Sequence, residues 1–275
     1  MRISKEFILV FFILILNSKD RLIEFAFNKY SQFGEDGVIS KIFECIGTTN
    51  KLCIDFGAYD GVFFSNTANL WLHNNWQALL IESDKKRYEK LLKNSIKATS
   101  GCITLNLKIE PWGDNSIDSI FSKLKLDEPI DLLSLDIDGN EYYILKNMKI
   151  RPRVIVVEFN PTLPLDAFIH QPLDGYFGCS QAALESVLGD DYKLVAITDC
   201  NCFFVHSKCV KMIEEKFETN RALIKNENYQ MVLSSTYDGK TFLLSRKNLF
   251  PWGNNNKYIG EVVAPGYKML PVSVI

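Results

Sequence analysis

The sequence predicts an α/β fold built on a mostly parallel sheet. From residue 51 onward, short apolar runs alternate with amphipathic stretches, which is the pattern of repeated strand–helix units. The last two apolar runs are joined by only a few residues, around Asp199 and Asn201. So short a link predicts an antiparallel pair, because a parallel crossover needs about a dozen residues or more.

Seven apolar runs are the candidate strands. The most continuously apolar of them, residues 130–137, is typical of a strand that is buried on both faces at the centre of a sheet. In chain order the predicted strands are residues 51–56, 77–82, 102–109, 130–137, 154–159, 192–198 and 202–206.

The amphipathic stretches between these runs predict helices. Tyr88 and Leu91 fall on one face of residues 85–98, with lysines around them. Ser116 is the expected N-cap of the short helix that follows it. Residues 160–178 contain Pro and Gly and have too little periodicity for a helix or strand, so they predict a long loop over one end of the sheet. The predicted helices are residues 66–74, 85–98, 116–124, 141–148 and 181–188.

Length and charge limit the architecture and the partners. A chain of 275 residues allows one large domain with extensions, at about 100 to 200 residues per domain. We predict an apolar lead-in at residues 1–27, a main domain at 28–215 and a C-terminal extension, packed on that domain, at 216–275. The 31 Lys and Arg residues against 33 Asp and Glu residues give a net charge of -2, so we expect no nucleic-acid partner.

The cysteines indicate the compartment. There are seven of them, an odd number spread over a long chain, unlike the dense and even pattern of a small secreted disulfide protein. We therefore expect a reducing environment and a cytoplasmic protein.

The N-terminus holds an unbroken apolar run at residues 7–16, preceded by Arg2 and Lys5. Ten residues are too few to span a bilayer, which takes about 20, and no small-residue cleavage site follows. We predict a helix that is buried or lies on a membrane surface, which would allow weak peripheral association. The alternative is a signal peptide or a short anchor.

The first candidate site lies where the first predicted strand ends. Residues 53–61 read C-I-D-F-G-A-Y-D-G, so a strand runs into a turn bounded by Gly57 and Gly61, and a helix opens near Asn66. Glycines let a backbone turn sharply and approach a ligand closely. The carboxylate of Asp55 suits a ligand with a positive group, such as an amino acid moiety. The alternative is an ordinary strand–helix turn.

This turn lacks the full dinucleotide fingerprint. Tyr59 and Val62 stand where the second and third glycines of G-x-G-x-x-G would be. A phosphate-binding turn, as in a nucleotide-sugar oxidoreductase, is therefore disfavoured.

The second candidate is Glu82, at the end of the next strand. A carboxylate in this place accepts hydrogen bonds from the two hydroxyls of a ribose. The alternative is a solvated glutamate at a strand end.

The third candidate is the acidic run D-I-D-G-N-E at residues 136–141, which follows the most apolar strand. The alternation of side chains in an extended chain puts Asp136 and Asp138 on one side, where like charges raise a pKa or two carboxylates share a divalent cation. Either arrangement suits deprotonation of a hydroxyl. The alternative is a turn at Asp138 followed by a helix that begins at Glu141, which does not explain Asp136. Two residues that end the fifth strand are expected in the same crevice, Glu158 and Asn160.

Taken together, these motifs resemble the FkbM-like family of S-adenosylmethionine-dependent methyltransferases. The resemblance covers about residues 28–210 and is carried by D-F-G-A-Y-D-G at 55–61, Glu82, S-I-D at 116–118, D-I-D-G-N-E at 136–141 and V-E at 157–158. A subgroup of the family also shares Y-S-Q-F-G-E-D-G at 30–37, S-N-T at 65–67 and N-C-F-F-V at 201–205. The resemblance implies a class I methyltransferase (Rossmann-like) fold, a three-layer sandwich with a seven-stranded sheet whose last strand is antiparallel.

The resemblance also implies roles for individual residues. Glu82 would hold the cofactor's ribose, Gln32 would cover the cofactor from the N-terminal side, and Asp118 would lie near its adenine. The implied cofactor-binding residues are Gln32, Asp55, Gly57, Ala58, Asp60, Gly61, Asn66, Glu82 and Asp118. The implied catalytic residues, facing the methyl group and the acceptor, are Asp136, Asp138, Glu141 and Glu158. Asp138 departs from the broader family, which has Glu there, and its shorter reach puts a shared base or cation role in question.

The function we expect is methyl transfer from S-adenosylmethionine to a hydroxyl of a sugar or another small molecule. By analogy with the family, the acceptor would belong to cell-surface glycan or secondary-metabolite synthesis. A divalent cation is a second expected cofactor. The alternatives are a nucleotide-sugar oxidoreductase and a non-catalytic module that binds the cofactor or docks on a membrane.

Other residues that could carry chemistry have simpler explanations. Cys200, Cys202, His206 and Cys209 have the residue types of a zinc site, but they fall on predicted strands where cysteine is usually a small buried residue. His170 lies in the long loop and has no evident partner. Two aromatic residues of the tail could line an acceptor site, Tyr258 and Tyr267.

Overall fold

The computed structural model describes residues 19–126, 129–224, 231–235, 237, 241–245 and 268–270. In these residues the chain forms a seven-stranded sheet with helices and a three-stranded sheet. The apolar run at residues 7–16 and the tail residues Tyr258 and Tyr267 lie outside the described residues.

The seven-stranded sheet is mostly parallel. Across the sheet the order is β3-β2-β1-β4-β5-β7-β6. The first five strands pair in parallel, whereas β7 runs antiparallel to both β5 and β6. The strands are β1 Leu52–Phe56, β2 Gln77–Glu82, β3 Cys102–Asn106, β4 Leu132–Leu135, β5 Val154–Glu158, β6 Tyr192–Ile197 and β7 Asn201–His206. A mostly parallel sheet of seven strands with an antiparallel last strand is the class I arrangement that the sequence predicts, so the fold class is confirmed.

Helices connect the strands, and side-chain caps start several of them. Ser116 accepts a hydrogen bond from the Ser119 backbone, as predicted for an N-cap, and Asp84 caps its own helix through the Arg87 backbone in the same way. The helices are α1 Glu35–Ile46, α2 Ala68–His73, α3 Lys85–Ser95, α4 Ile117–Leu124, α5 Glu141–Asn147, α6 Gln181–Leu188, α7 Ser207–Glu214 and α8 Arg221–Ile224.

The core lies on both faces of the central strands. Every residue of β4 is buried. Its successive leucines pack in two different apolar clusters, Leu132 in one and Leu133 in the other. This alternation follows from the pleat of a strand, which points successive side chains to opposite faces. Burial of a side chain of this size contributes about 1.5 to 3 kcal/mol. The sheet is therefore the middle layer of a sandwich, and its edges are where polar residues collect.

One predicted strand is shorter than expected at the end that matters for the site. We predicted a strand over 130–137, and β4 ends at Leu135. The Asp136 backbone still donates to Phe56, but Glu141 then binds the backbone of Ile137 and Gly139 and turns the chain out of the sheet. The acidic run is thus in a turn at the sheet's edge.

The C-terminal extension contains strands that the sequence analysis did not predict. They form an antiparallel sheet in the order β10-β9-β8, with β8 Met231–Ser235, β9 Thr241–Ser245 and β10 Lys268–Leu270. The sequence does hold a hairpin signal, because Asp238-Gly239 stands between two short apolar runs. The proposed boundaries at residues 27 and 215 remain predictions.

In the part of the chain that the structure describes, none of the helices combines the length and apolar composition required to cross a bilayer. Membrane-surface association through the N-terminus remains a prediction.

Candidate active site

An open cavity of about 990 Å³ lies at the carboxyl edge of the parallel strands. This is where open α/β sheets bind their ligands. The structure brings many of the predicted site residues into its lining, namely Gln32, Gly57, Asn66, Glu82, Asp136, Asp138, Glu141, Glu158 and Asn160. It places other predicted residues outside the lining, namely Asp55, Ala58, Asp60, Gly61 and Asp118.

The two glycines after β1 meet different steric demands. Gly57 has a φ of +79°, and a Cβ there would lie 1.6 Å from the carbonyl oxygen of Asp136. Gly61 has a φ of +82°, and a Cβ there would lie 2.6 Å from the Leu91 side chain on α3. The first glycine therefore lets the ends of β1 and β4 approach each other beside the cavity, while the second lets α3 pack.

Asp55 is buried next to the cavity and is hydrogen-bonded to the turn that follows β1. Its Oδ2 accepts hydrogen bonds from the hydroxyls of Thr67, at 2.7 Å, and Ser65, at 3.3 Å. Burial raises the pKa of Asp55 to about 6, although these hydroxyls favour the ionised form. Asp55 thus fixes the turn before α2, which places Asn66 in the cavity wall, where its amide donates to the Ser134 hydroxyl at 3.3 Å.

Asp60 and Ala58 shape the same loop. The Asp60 carboxylate accepts from the backbone of Val62, at 2.9 Å, and Phe63, at 2.8 Å. Ala58 is buried and its backbone donates to the carbonyl of Ile81. Both residues hold the loop that borders the cavity.

Glu82 ends β2 as a buried carboxylate anchored by the backbone. Its Oε2 accepts from the Tyr59 N–H at 2.9 Å, and its Oε1 accepts from the Asp84 N–H at 2.7 Å. A carboxylate oxygen has capacity for more than one donor. Because Glu82 lines the cavity, each oxygen can accept a further hydrogen bond from a ligand hydroxyl.

Asp136 and Glu158 form a carboxyl pair at the ends of β4 and β5. One carboxyl oxygen of each residue lies within 4.8 Å of one oxygen of the other, so the charge state of one acts directly on the other. Burial, together with the charges of Glu141 and Asp138, raises the pKa of Asp136 to about 7. Burial and the charge of Asp136 raise the pKa of Glu158 well above its ordinary range. Both carboxyl groups therefore keep a proton to higher pH than ordinary carboxyl groups, and Asp136 gains or loses its proton near neutral pH.

Glu141 shapes the turn that carries the acidic run. It is buried, and its carboxylate accepts from the backbone of Ile137 at 3.0 Å and of Gly139 at 3.0 and 3.1 Å. Burial raises its pKa in spite of these bonds. Within this turn Asp138 is exposed and has a φ of +58°, a left-handed conformation that costs free energy in residues other than glycine.

Three carboxylates meet at this edge. Asp136, Asp138 and Glu158 each place one oxygen within 4.8 Å of the others. Oxygen ligands at this spacing fit a hard divalent cation.

Asp118 lies away from these groups. Its carboxylate accepts from the backbone of Lys149 and Ile150 at 3.0 to 3.1 Å, which ties α4 to the segment before β5. Asp118 is also outside the cavity lining, and the role beside the adenine that the resemblance implied stays a prediction.

Gln32 is carried to the cavity by a loop that Asp36 organises. Asp36 accepts from three successive backbone N–H groups, at residues 29–31, at 2.7 to 2.9 Å. The Gln32 carbonyl accepts from the Asn28 amide at 2.9 Å. The loop therefore has a fixed path across the N-terminal side of the site.

Two groups of lining residues were missed from the sequence. The Asn140 amide donates a hydrogen bond to Asp174 Oδ1 at 3.0 Å, and this contact joins the acidic turn to the long loop. Asn201 lies in the lining beside Glu158, because the two residues are paired across β5 and β7. Only the position of Asn201 beside the tight antiparallel link could have pointed to it, since strand pairing is invisible in the sequence.

Two of the four residues with zinc-site chemistry are packed in the core, while His206 and Cys209 are partly buried. Cys200 and Cys202 are buried free cysteines, and burial raises the pKa of both thiols. His170 stacks on Tyr142 with ring centroids 4.1 Å apart and is not in the cavity lining. The buried cysteines agree with a packing role, whereas His170 has aromatic partners that its place in the loop did not indicate.

No protein-family model and no curated protein matches the chain. Solved structures do resemble it at low identity. A SAM-dependent methyltransferase from Aquifex aeolicus is 12% identical with a TM-score of 0.38, and the match covers 61% of this chain and 88% of that one. TehB from Haemophilus influenzae is 12% identical with a TM-score of 0.41, covering 62% of each chain, so this chain spans less than two thirds of TehB. The cyclopropane synthase MmaA2 from Mycobacterium tuberculosis is 12% identical with a TM-score of 0.35, covering 63% and 70%. Similarities this weak say nothing of activity, and the fold assignment rests on the strand order itself.

Proposed function

We propose that this chain is an S-adenosylmethionine-dependent methyltransferase that methylates a hydroxyl of a sugar or another small molecule. One observation carries the proposal. The anchored carboxylate of Glu82 and the carboxyl pair of Asp136 and Glu158 face the same cavity at the carboxyl edge of the sheet. The first suits a ribose diol, and the second suits removal of a hydroxyl proton. The FkbM-like resemblance supports both roles, and the place in glycan or secondary-metabolite synthesis rests on that resemblance alone.

The residues that line the cavity fit S-adenosylmethionine. Glu82 has acceptor capacity for the ribose, Gly57 and Asn66 border the space next to it, and Gln32 closes it from the N-terminal side. A cavity of about 990 Å³ is at the large end of ligand sites, which leaves room for an acceptor as well. When bound, the cofactor supplies a methyl group on a positively charged sulfur, which a lining rich in carboxylates favours.

Asp136 is the base of the proposed reaction. The acceptor oxygen forms a bond to the methyl carbon as the bond between that carbon and sulfur breaks, and the hydroxyl proton goes to Asp136. Glu158 lies beside Asp136 in the same lining, and burial together with the neighbouring charges raises its pKa as well. Because methyl transfer is an in-line displacement, alignment provides most of the catalysis and the base adds to it.

The same carboxylates could instead bind a divalent cation. Asp136, Asp138 and Glu158 would hold it, and it would lower the pKa of the acceptor hydroxyl. Turnover that persists in a chelator such as EDTA would exclude the cation. Turnover that is lost in EDTA and restored only by Mg²⁺ or Mn²⁺ would mean that the carboxylates hold a cation in place of a proton.

Calorimetry with S-adenosylmethionine and S-adenosylhomocysteine tests the proposal. We expect binding of both by the wild-type chain and weak binding by Glu82→Ala. Binding of a nicotinamide dinucleotide instead would favour the oxidoreductase alternative. If neither type of cofactor produces heat, the proposal is wrong. Binding of S-adenosylmethionine without turnover on any acceptor would favour the non-catalytic alternative.

A further inference from the structure

We infer that the acceptor side of the cavity selects a hydroxyl-rich ring that carries no phosphate or carboxylate, and that the ring rests on the turn at Tyr176 and Phe177. The acceptor side is the part formed by the ends of β4 and β5 and the turn at residues 171–178. The inference rests on the proposed function and adds the class of acceptor and the residues that recognise it.

Charge on this side excludes an anionic acceptor. Among the described lining residues, the carboxylates on this side are Asp136, Asp138, Glu141, Glu158 and Asp174. One cation of the lining is Lys108, whose Nζ lies 3.4 Å from Asp174 Oδ1 and pairs with that carboxylate. The other lining cation, Arg87, lies over the Tyr59 ring, 4.7 Å from its centroid, on the side of β2. A phosphate placed against Asp136 would therefore meet like charges with no free cation beside them.

The polar groups of this side are mostly hydrogen-bond acceptors. In addition to the carboxylates, the Oδ1 of Asn201 has no hydrogen-bond partner among the described residues, although Asn201 is 96% buried. The amide orientation is set by Glu35, whose Oε1 accepts from Asn201 Nδ2 at 3.3 Å. Asn201 is paired with Glu158 across the sheet and belongs to the cavity lining. Such a set of acceptors matches a ligand with several O–H or N–H donors.

An exposed aromatic turn borders these acceptors. Tyr176 is 83% exposed and Phe177 is 44% exposed, and both line the cavity. Exposed aromatic side chains do not stabilise the fold at this point, so burial does not account for them. Their flat apolar faces suit the C–H face of a sugar-like ring, whose hydroxyls would point to the carboxylates.

Gln171 fixes the position of this turn. It is fully buried, and its Oε1 accepts from the backbone of Phe177, at 2.9 Å, and Gly178, at 2.7 Å. Its Nε2 donates to Asn140 Oδ1 at 3.1 Å and to the Gly175 carbonyl at 2.9 Å. The exposed aromatic residues are thus held rigidly against the acidic turn, as a binding surface requires.

The class of acceptor is tested with labelled donor and the small-molecule fraction of cell extracts. One portion is treated with phosphatase and a second with periodate, which cleaves vicinal diols, and both reagents are removed before the chain and methyl-labelled S-adenosylmethionine are added. After the donor is removed on charcoal, we expect labelled product that passes through an anion exchanger. Phosphatase should leave the yield unchanged and periodate should lower it at least tenfold. Product that is retained on the exchanger, lost after phosphatase or unaffected by periodate would overturn the inference.

Variants test the aromatic turn in the same assay. We expect Tyr176→Ala to need about ten times more extract for half-maximal labelling, with the maximal rate within twofold of wild type, while Tyr176→Phe stays close to wild type. Phe27→Ala, at an exposed aromatic residue outside the cavity lining, is the control and should have no effect. Identical behaviour of Tyr176→Ala and wild type would rule out the role of the turn.

Calorimetry separates failure of this inference from failure of the proposed function. If S-adenosylhomocysteine binds but no extract yields labelled product, the inference about the acceptor is wrong and the cofactor site stands. If S-adenosylhomocysteine does not bind, the proposed function is wrong, and the inference falls with it.

Discussion

The carboxyl groups on the two sides of the site have opposite surroundings. At the ends of β1 and β2, Asp55 and Glu82 lie among donors: the hydroxyls of Thr67 and Ser65 for the first, and backbone N–H groups for the second. At the ends of β4 and β5, Asp136 and Glu158 lie against each other. Donors fix a carboxylate in position, whereas a facing carboxylate makes it hold a proton. The first arrangement is suited to binding and the second to proton transfer.

The comparison also separates two forms of burial. Asp55 is as deeply buried as many core residues, but its pKa rises only to about 6 because its hydroxyl donors favour the charge. Asp136 reaches about 7 because the charges of Glu141 and Asp138 add to the effect of burial. Neighbouring groups, more than depth, therefore distinguish the two sides.

The largest expected effect is on turnover when the base is removed. Asp136→Asn should lower kcat about 1000-fold, since general base catalysis contributes roughly 100- to 10000-fold, while the Kd for S-adenosylhomocysteine stays within about twofold. Steady-state rates and calorimetry check the two parts. Glu110→Gln, at an exposed carboxylate outside the lining, is the control. Normal turnover by Asp136→Asn would remove the base from the β4 side.

The next effect is on the pH dependence of stability. The folded-state pKa of Asp55 is raised to about 6, above its ordinary value of 3.8, so the folded state loses stability as pH rises from about 4 to about 6. Asp55→Asn keeps an acceptor for Thr67 and removes this loss. The free energy of unfolding should therefore fall less between pH 4 and pH 7 in the variant than in wild type, by up to about 3 kcal/mol. Urea unfolding at several pH values measures it.

A matched control exists for this experiment. Glu110→Gln removes one negative charge from an exposed side chain outside the cavity lining and serves as the control. If Asp55→Asn shows the wild-type pH dependence, the pKa of Asp55 is not raised in the folded state and the prediction is wrong.

Loss of the anchored carboxylate should be somewhat smaller in effect. Glu82→Ala removes acceptors for ligand hydroxyls and should weaken binding of S-adenosylhomocysteine about 30-fold, as expected for hydrogen bonds to a charged group. Calorimetry measures the Kd, with Glu110→Ala as the control. Unchanged affinity in Glu82→Ala would move the cofactor away from the β2 side.

The fold was predictable because its signals are local. The apolar run of β4 and the few residues between β6 and β7 each specify their part of the sheet without reference to distant residues. The end of β4 was placed two residues too late, because the turn is set by Glu141 binding the backbone of Ile137 and Gly139. Periodicity carries no information about that contact.

The site was predictable only in part, for the same reason. Glu82 and Asp136 could be placed together because one ends a strand and the other directly follows one, and the ends of these strands lie at one edge of the sheet. The partner of Glu158 across the sheet, Asn201, depends on the pairing of β5 with β7, and the path of the long loop depends on Gln171 reaching Asn140. Asp55 was placed in the pocket, although its hydrogen bonds turn it toward Thr67 and Ser65, out of the lining.

The smallest expected effect identifies which carboxyl of the pair holds the proton. Wild-type kcat should rise with pH through about 7 as Asp136 ionises, because a base must be deprotonated to act. A protonated Glu158 would be placed to donate a hydrogen bond to the ionised Asp136 and so lower its pKa, in which case Glu158→Ala should move the midpoint of this rise up by about one pH unit. Glu158→Gln keeps a neutral donor in the same place and should leave the midpoint where it is in wild type. Pre-steady-state rates across pH 5.5 to about 9 would measure all three midpoints. Equal shifts in the Ala and Gln variants would mean that Glu158 acts through its charge, and the proton of the pair would then belong to Asp136.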